Sequence, residues 1–292
     1  MGGRLRLLAA ALIGPAFATA VACGSPSPSA AGAPGAVPAA VAAKPPAAAE
    51  TRLELAVVAT YPHDPRAFTQ GLLWHGGKLY ESTGMYGASS LREVELATGR
   101  VLRRQELDSG VFAEGLALVG DRLFQLSYQS EIGWVWDLAT FTRRRDFTYR
   151  GEGWGLTFDG ALLVQSDGSS RLTFRSPDDF SPRRELQVLR AGRPQFYLNE
   201  LEWVNGEIWA NVWQADEIVR IDPLTGQVTG VVDAAQLLTP EERRHADVLN
   251  GIAWDPERQL FLITGKYWPK LFAVKILPVA PLGEAGSASA AH

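Results

Sequence analysis

One position recurs in five similar segments of the sequence, and its side chain differs from segment to segment. In four of the five it is followed by glycine, and a leucine or isoleucine comes next. The five residues are Gln70, Glu114, Trp154, Asn199 and Asn250. A carboxylate can exchange protons with a substrate, amides can donate hydrogen bonds to a developing negative charge, and an indole can exclude water. If these side chains meet, they form a site for acid–base chemistry.

The spacing of the segments shows that they are internal repeats. The residues that follow the variable position are separated by 44, 40, 45 and 51 residues: Gly71, Gly115, Gly155, Glu200 and Gly251. Periods of this length are typical of propeller blades or solenoids. Apolar runs flank hairpin signals such as Gly76-Gly77, Asp159-Gly160 and Asn205-Gly206. With two further strands, each repeat has the four strands of a propeller blade.

The last repeat has room for only three strands, and an unassigned strand over residues 53–60 precedes the first repeat. Pairing between the two would complete a fifth blade and remove the exposed edges of an open array. We therefore predict an all-β fold, a five-bladed β-propeller whose N-terminal strand closes the last blade. Residues 239–242, Thr-Pro-Glu-Glu, predict a short capped helix between blades four and five.

The site must include the residues that leave the second strand of each hairpin, because these emerge beside the start of the first strand. Counting 14 residues from the variable position, or 16 in the last repeat, gives Gly84, Tyr128, Gly168, Trp213 and Lys266. Phe68 and Phe112 precede the motif and are expected to wall the same cavity. A pocket with convergent polar groups and aromatic walls is the default ligand site.

Each of these residues also has a structural interpretation. Gln70, Asn199 and Asn250 could satisfy loop backbone groups, and the tryptophans could pack between blades. Lys266 could be solvated. Glu114 is harder to explain in this way, because a carboxylate on an apolar inner strand is costly without a role. Three other carboxylates are weaker candidates for that role: Glu81, Glu200 and Glu202.

The two ends of the chain differ from this central part. Residues 1–22 have the basic start and short apolar run of a secretory signal, and Cys23, the one cysteine, follows as in a bacterial lipoprotein signal. Ordinary cleavage after Ala22 is the alternative. Residues 23–50 are an Ala/Pro-rich linker, 51–278 the propeller catalytic domain, and 279–292 a disordered tail. We expect an exported lipoprotein of the periplasm or cell envelope, with a secreted protein as the alternative.

The composition excludes several functional classes. There are 28 basic and 32 acidic residues among 292, so no basic excess points to nucleic acid. Four scattered histidines and one cysteine give no pattern for a metal centre. We predict no cofactor and no metal, a monomer, and membrane contact only through the lipid on Cys23.

Together, the repeats resemble the glutaminyl-peptide cyclotransferases of plants and bacteria, from about Tyr61 to Ile276. The motifs that carry the resemblance are Phe68-Thr69-Gln70-Gly71-Leu72, Glu81-Ser82-Thr83-Gly84-Met85-Tyr86-Gly87, Phe112-Ala113-Glu114-Gly115-Leu116, Trp154-Gly155-Leu156-Thr157, Leu198-Asn199-Glu200-Leu201-Glu202, Asn211-Val212-Trp213, Leu249-Asn250-Gly251-Ile252-Ala253-Trp254 and Thr264-Gly265-Lys266. That family is a five-bladed propeller. Its members cyclise the N-terminal glutamine of peptides or proteins to pyroglutamate, with release of ammonia.

The resemblance implies a metal-independent, ammonia-releasing aminoacyltransferase in which Glu114 is the acid–base carboxylate. With Glu114, we predict Lys266, Asn199 and Gln70 as catalytic residues. The predicted substrate-binding residues are Phe68, Phe112, Tyr128, Trp154, Trp213 and Asn250. The plant enzymes have a tryptophan where this chain has Tyr128, a change expected to affect substrate affinity more than chemistry. The alternative is a non-catalytic lipoprotein propeller that binds peptides or sugars. A propeller hydrolase usually needs a metal or a nucleophile triad, and this sequence has the pattern of neither.

Overall fold

The computed structural model describes residues 50–279, and it is built almost entirely of β-strands. The predicted signal segment, Cys23, most of the linker and nearly all of the predicted tail lie outside the described residues. The strands are β1 (Thr51–Pro62), β2 (Thr69–His75), β3 (Lys78–Thr83), β4 (Ser90–Glu95), β5 (Arg100–Glu106), β6 (Ala113–Val119), β7 (Arg122–Ser127), β8 (Ile132–Asp137), β9 (Arg143–Thr148), β10 (Leu156–Phe158), β11 (Leu163–Gln165), β12 (Arg171–Arg175), β13 (Pro182–Gln187), β14 (Leu189–Arg190), β15 (Arg193–Pro194), β16 (Leu198–Val204), β17 (Glu207–Val212), β18 (Glu217–Ile221), β19 (Val228–Asp233), β20 (Leu249–Asp255), β21 (Leu260–Gly265) and β22 (Lys270–Pro278).

Each repeat forms an antiparallel run of consecutive strands. Three runs are separate four-stranded sheets, in the orders β2-β3-β4-β5, β6-β7-β8-β9 and β10-β11-β12-β13. The other two repeats share one eight-stranded sheet, in the order β16-β17-β18-β19-β1-β22-β21-β20. A short parallel pairing joins its halves, between residues 51–53 of β1 and residues 230–232 of β19. The all-β propeller fold predicted from the repeats is therefore confirmed.

The strand that precedes the first repeat pairs with the last strand of the chain. β1 runs antiparallel to β22, in a register from Leu53 opposite Pro278 to Pro62 opposite Lys270. One irregularity interrupts this register, between Val57 and Ala59. The prediction that an N-terminal strand completes the last blade is confirmed.

The first strands of the five repeats form a closed ring. They contact one another in the cyclic order β2, β6, β10, β16, β20 and back to β2. The repeated glycine makes this approach possible, because a Cβ at Gly115 would lie 2.5 Å from the Leu156 nitrogen and one at Gly155 only 2.0 Å from the Asn199 oxygen. Any side chain there would push neighbouring inner strands apart. Apolar side chains fill the space between adjacent sheets, as where β6 and β7 pack against Leu156, Leu163 and Phe180.

Local turn and cap signals in the sequence also match the structure. Gly76 and Gly77, and likewise Asn205 and Gly206, adopt the positive φ angles that two-residue hairpins require. The single helix in residues 50–279, α1 (Pro240–Arg243), has the predicted Thr239 cap and capping box. No helix in this part of the chain has the length and apolar character needed to cross a membrane.

Glu200 takes the place of the repeated glycine in β16, and its carboxylate is fully buried inside the ring. One oxygen accepts a hydrogen bond from the Leu72 backbone N–H at 3.2 Å, and the other accepts from the Ile252 N–H at 2.8 Å. Two residues further along, Glu202 accepts from the Trp254 N–H at 2.8 Å. Both carboxylates therefore link β16 to other inner strands. The burial of Glu200 and Glu202, which the sequence analysis gave as weaker candidates for the acid–base carboxylate, thus has a structural explanation.

Burial raises the pKa of both carboxyl groups, that of Glu202 to about 8, and the Glu202 charge adds to the effect on Glu200. A glutamate in an unfolded chain has a pKa of about 4.3. Between these two values the folded state holds a proton on Glu202 that the unfolded state has lost. The free energy of unfolding therefore falls as the pH rises through this window.

We predict that the Glu202→Gln variant loses less stability than the wild type as the pH rises. The glutamine oxygen still accepts from Trp254, while no charge has to be buried. Thermal unfolding from pH 5 to pH 9 should show a smaller decline in Tm for Glu202→Gln than for the wild type. The exposed Glu185→Gln serves as the control and should follow the wild type. Equal declines in the wild type and Glu202→Gln would contradict the buried, raised-pKa state of Glu202.

Candidate active site

The starts of the inner strands and the ends of the hairpins meet around one cavity of about 240 Å³. This arrangement follows from the fold, because β2, β6, β10, β16 and β20 all begin at the same mouth of the ring. Ten residues line the cavity: Phe68, Gln70, Tyr86, Phe112, Glu114, Tyr128, Trp154, Asn199, Trp213 and Lys266. Nine of them are residues that the sequence analysis placed at this site. Their catalytic or binding roles remain predictions.

Asn250 differs from the other predicted substrate-binding residues, because it is fully buried and does not line the cavity. Its side-chain N–H group donates to the Thr69 carbonyl at 2.9 Å and to Gln70 Oε1 at 3.1 Å. The repeat count gave its position on the strand but could not show that its side chain bonds Gln70 and does not line the cavity. Asn250 orients Gln70.

Glu114 is held by the next step of the same hydrogen-bond chain. Gln70 Nε2 donates to Glu114 Oε1 at 2.7 Å. Gln70 was predicted to donate to a substrate oxyanion, whereas here one of its N–H groups is engaged by Glu114. The chain from Asn250 through Gln70 therefore fixes the carboxylate in the cavity wall.

The electrostatics of Glu114 favour its protonated form. Burial raises the pKa of Glu114 well above the ordinary value; the Lys266 charge opposes this, the Glu152 charge adds to it, and the Gln70 hydrogen bond opposes it. Burial likewise lowers the pKa of Lys266, against the influence of the Glu114 and Asp247 carboxylates. Lys266 Nζ lies 4.6 Å from the centre of the Phe68 ring. Burial thus favours the neutral form of both groups, and the attraction between their charges opposes this.

Asn199 brings an amide group into the same cavity. Its side chain is buried, and its Oδ1 has no hydrogen-bond partner among residues 50–279. Its backbone carbonyl accepts from Ser166 Oγ at 2.6 Å, which fixes the start of β16. A buried polar atom without a partner is costly, so this amide is suited to a ligand that supplies the missing bond.

Aromatic rings form most of the wall. Phe68 packs edge-on against Phe112, with ring centres 5.7 Å apart, and Trp154 packs edge-on against Trp213 at 5.6 Å. Two glycines at hairpin ends make room for these rings. A Cβ at Gly84 would lie 2.2 Å from the Phe112 ring, and one at Gly168 would lie 2.6 Å from the Trp154 ring. The hairpin-end positions therefore serve the site even where they carry no side chain.

Two residues of the site were not predicted as site residues: Tyr86, which the sequence analysis included only in a family motif, and Glu152. Tyr86 lines the cavity from the loop after β3. Glu152 lies at the edge of the site: one carboxylate oxygen accepts from Trp154 Nε1 at 2.9 Å, and the other accepts from Gln129 Nε2 at 2.8 Å. Its place two residues before Trp154 was the available signal, but only the folded loop shows that it turns back onto the indole.

The remaining carboxylate candidate, Glu81, does not line the cavity. It is buried below the surface, where its Oε1 pairs with His63 Nε2 at 3.1 Å and accepts from Thr69 Oγ1 at 2.7 Å. His63 Nδ1 also bonds the Trp268 carbonyl at 2.8 Å, close in sequence to Lys266. This cluster ties the start of the first repeat to the turn that carries Lys266.

Comparison with known proteins agrees with this geometry. A model of the glutamine cyclotransferase family matches residues 31–276. The chain belongs to this family. It is 46% identical over 228 residues to the glutaminyl-peptide cyclotransferase of Arabidopsis thaliana, covering 76% of this chain and 71% of that protein. The crystal structure of Myxococcus xanthus glutaminyl cyclase matches with a TM-score of 0.73 and 40% identity, over 80% of this chain and all of that one.

We predict that Glu152→Gln lowers the pKa of Glu114, because the nearby negative charge is removed while an oxygen remains to accept from Trp154. Infrared difference spectra, taken against Glu114→Gln, isolate the carboxyl band of Glu114. Its titration midpoint should move to lower pH in Glu152→Gln. In the control Glu106→Gln, which removes an exposed charge outside the cavity, the midpoint should stay in place. An unchanged midpoint in Glu152→Gln would show that Glu152 does not act on Glu114.

Proposed function

We propose that this protein is a glutaminyl-peptide cyclotransferase in which Glu114 carries the proton between the two nitrogens of the substrate. The observation that supports this most strongly is a buried carboxylate, with raised pKa, in a small aromatic cavity. At about 240 Å³ the cavity is smaller than the roughly 300–1,000 Å³ of typical small-molecule pockets. It therefore suits a single N-terminal residue better than an extended peptide.

The reaction is an attack of the substrate on itself. The α-amino nitrogen forms a bond to the γ-carbonyl carbon of the same glutamine, which gives a five-membered ring and a tetrahedral carbon. Glu114, as carboxylate, takes the proton that this nitrogen must lose. It then returns the proton to the γ-amide nitrogen, the carbon–nitrogen bond to that group breaks, and ammonia leaves.

The negative charge that develops on the γ-oxygen needs donors. Lys266 and Asn199 line the same cavity as Glu114 and carry N–H groups that can turn toward this oxygen. Gln70 contributes by orienting Glu114, with its second N–H available to the substrate. An ammonium and an amide in a cavity lined mostly by apolar side chains stabilise such charge more strongly than they would in water.

The aromatic walls of the cavity favour the folded substrate conformation that cyclisation requires. An N-terminal glutamine is flexible, and cyclisation requires its amine to fold back onto its own γ-carbonyl. Phe68, Phe112, Trp154 and Trp213 restrict the side chain to compact conformations and exclude water, which favours near-attack geometry. Tyr128 completes this wall and offers a hydroxyl where the plant enzymes have an indole.

We propose that the proton transfer needs no metal ion. Within residues 50–279 there is no group of three or more His, Cys, Asp or Glu side chains that could hold one. Each step above is assigned to a side chain of this chain. All lining residues belong to one propeller, so no second subunit is required, and we propose that the enzyme acts as a monomer.

The alternative of a non-catalytic propeller that binds peptides or sugars is not favoured. A binding pocket gains nothing from a buried carboxyl group whose pKa is raised, since such burial costs free energy. The family to which the chain belongs points the same way.

We predict that Glu114→Gln lowers kcat by at least about 100-fold, the usual contribution of a positioned acid–base group. The isosteric amide preserves the shape of the cavity, so thermal unfolding should show a folded protein. Ammonia release from a Gln-initiated peptide is the measurement, with the exposed Glu185→Gln as control. All assays contain EDTA; loss of wild-type activity there would contradict metal independence, and near-normal activity of Glu114→Gln would contradict the role of Glu114.

We further propose that the chain is exported and anchored through a lipid on Cys23. The support is the basic and apolar start of the sequence and the position of its one cysteine. Mass spectrometry of the mature N-terminal peptide should show a diacylglyceryl-modified Cys23, and Cys23→Ser should release the protein from membranes. An unmodified thiol at Cys23 would favour cleavage after Ala22 and a soluble exported form.

A further inference from the structure

Three tyrosines form a second layer of rings at the mouth of the cavity. Tyr86 packs edge-on against Phe112 with ring centres 5.4 Å apart, Tyr197 packs against Trp213 at 5.8 Å, and Tyr267 packs edge-on against Phe68 at 5.2 Å. Each tyrosine thus rests on one ring of the cavity wall. We call Tyr86, Tyr197 and Tyr267 the outer tier.

Two of the three rings of the outer tier are exposed, and the third, Tyr267, is partly buried. Tyr86 is 58% exposed and Tyr197 is 53% exposed, and the neighbouring Met85 and Phe196 are exposed as well. Single exposed apolar residues are common on protein surfaces, but several large exposed side chains around the mouth of one cavity point to an interaction site. These residues come from three different loops of the same face.

The loops that carry these rings are held in a costly conformation. Tyr197 and Tyr267 have φ angles of 66° and 60°, and Met85, next to Tyr86, has a φ of 117°. Bulky residues rarely adopt left-handed backbone, and such strain persists only where surrounding contacts enforce it. Here the Tyr197 N–H donates to the Gly168 carbonyl at 2.8 Å, and the Tyr267 N–H donates to the Ala67 carbonyl at 2.7 Å.

We propose that the outer tier binds the peptide residues that follow the N-terminal glutamine, and that it favours apolar and aromatic side chains at the second and third positions. This inference rests on the proposed function and adds a specificity to it. The occupant follows from continuity: the cavity takes the glutamine, and the peptide must leave through the mouth. The first surfaces it meets there are the rings of the outer tier.

The chemistry of these rings fits such an occupant. A tyrosine ring offers a flat apolar surface for aromatic or aliphatic side chains and a hydroxyl for the peptide backbone. Because two of the three rings sit on fixed backbone, little conformational freedom is lost when a peptide binds. A glycine in the second position offers no side chain to these surfaces.

The test compares Gln-Phe-Ala-amide with Gln-Gly-Ala-amide as substrates of the wild-type enzyme. One favourable ring–ring contact corresponds to a factor of about 3 to 10 in affinity. We expect KM to be lower by about that factor for the phenylalanine peptide, with similar kcat. Equal KM values for the two peptides would overturn the proposal.

Two variants and a control locate the effect. Tyr197→Ala should remove most of the preference for phenylalanine by raising KM for that peptide, whereas Tyr197→Phe should keep it. Leu224→Ala, which changes a residue 87% exposed and outside the cavity, should leave both KM values unchanged. A preference that survives in Tyr197→Ala would remove Tyr197 from the proposed subsite.

The outcome is distinguishable from failure of the proposed function. If the protein is not a cyclotransferase, neither peptide releases ammonia. If only the outer-tier proposal is wrong, both peptides release ammonia with the same KM. The wild-type comparison decides between these results without relying on the folding of any variant.

Discussion

The pairing of β1 with β22 is the constraint on which the site depends. These strands come from opposite ends of the described chain, and their register over residues 53–62 places the last repeat beside the first. Only then can β20 contact β2 and complete the ring of inner strands. Lys266, carried by the last repeat, therefore shares a cavity with Gln70 and Glu114 only because the ring is closed. The strand pairing that closes the ring is therefore also what assembles the cavity.

Burial then sets the electrostatics. Glu114 and Lys266 are both almost fully buried. Burial raises the pKa of Glu114 and lowers the pKa of Lys266, so it favours the neutral form of each. Their mutual attraction opposes both shifts, so the protonation state of one depends on the other. Glu152, outside the cavity wall, adds a negative charge that favours a protonated Glu114. The protonation of Glu114 therefore depends on the charges of Lys266 and Glu152 as well as on burial.

Much of the fold and most of the site followed from the repeat in the sequence. Five variable residues at constant places in a repeat had to converge once the ring was assumed, and a fixed count along each hairpin gave Tyr128, Trp213 and Lys266. The repeat spacing could not predict the contacts that loops make. Tyr86 and Glu152 reach the site through turns whose path depends on tertiary packing, and the parallel pairing of β1 with β19 depends on how two blades meet. For Asn250, spacing gave the position along its strand but not its depth, and its side chain bonds Gln70 without lining the cavity.

Glu200 and Glu114 show how a carboxylate with a structural role differs from the one proposed to carry the proton. They lie on inner strands of the same ring, both are buried, and burial raises the pKa of each. Glu200 has both oxygens engaged by backbone N–H groups, so it completes the hydrogen bonding of two strands. Glu114 has one oxygen held by Gln70, and within residues 50–279 its other oxygen has no hydrogen-bond partner. That oxygen leaves Glu114 able to bond to a ligand in the cavity that Lys266 and Asn199 also line, as the proposed proton transfer requires.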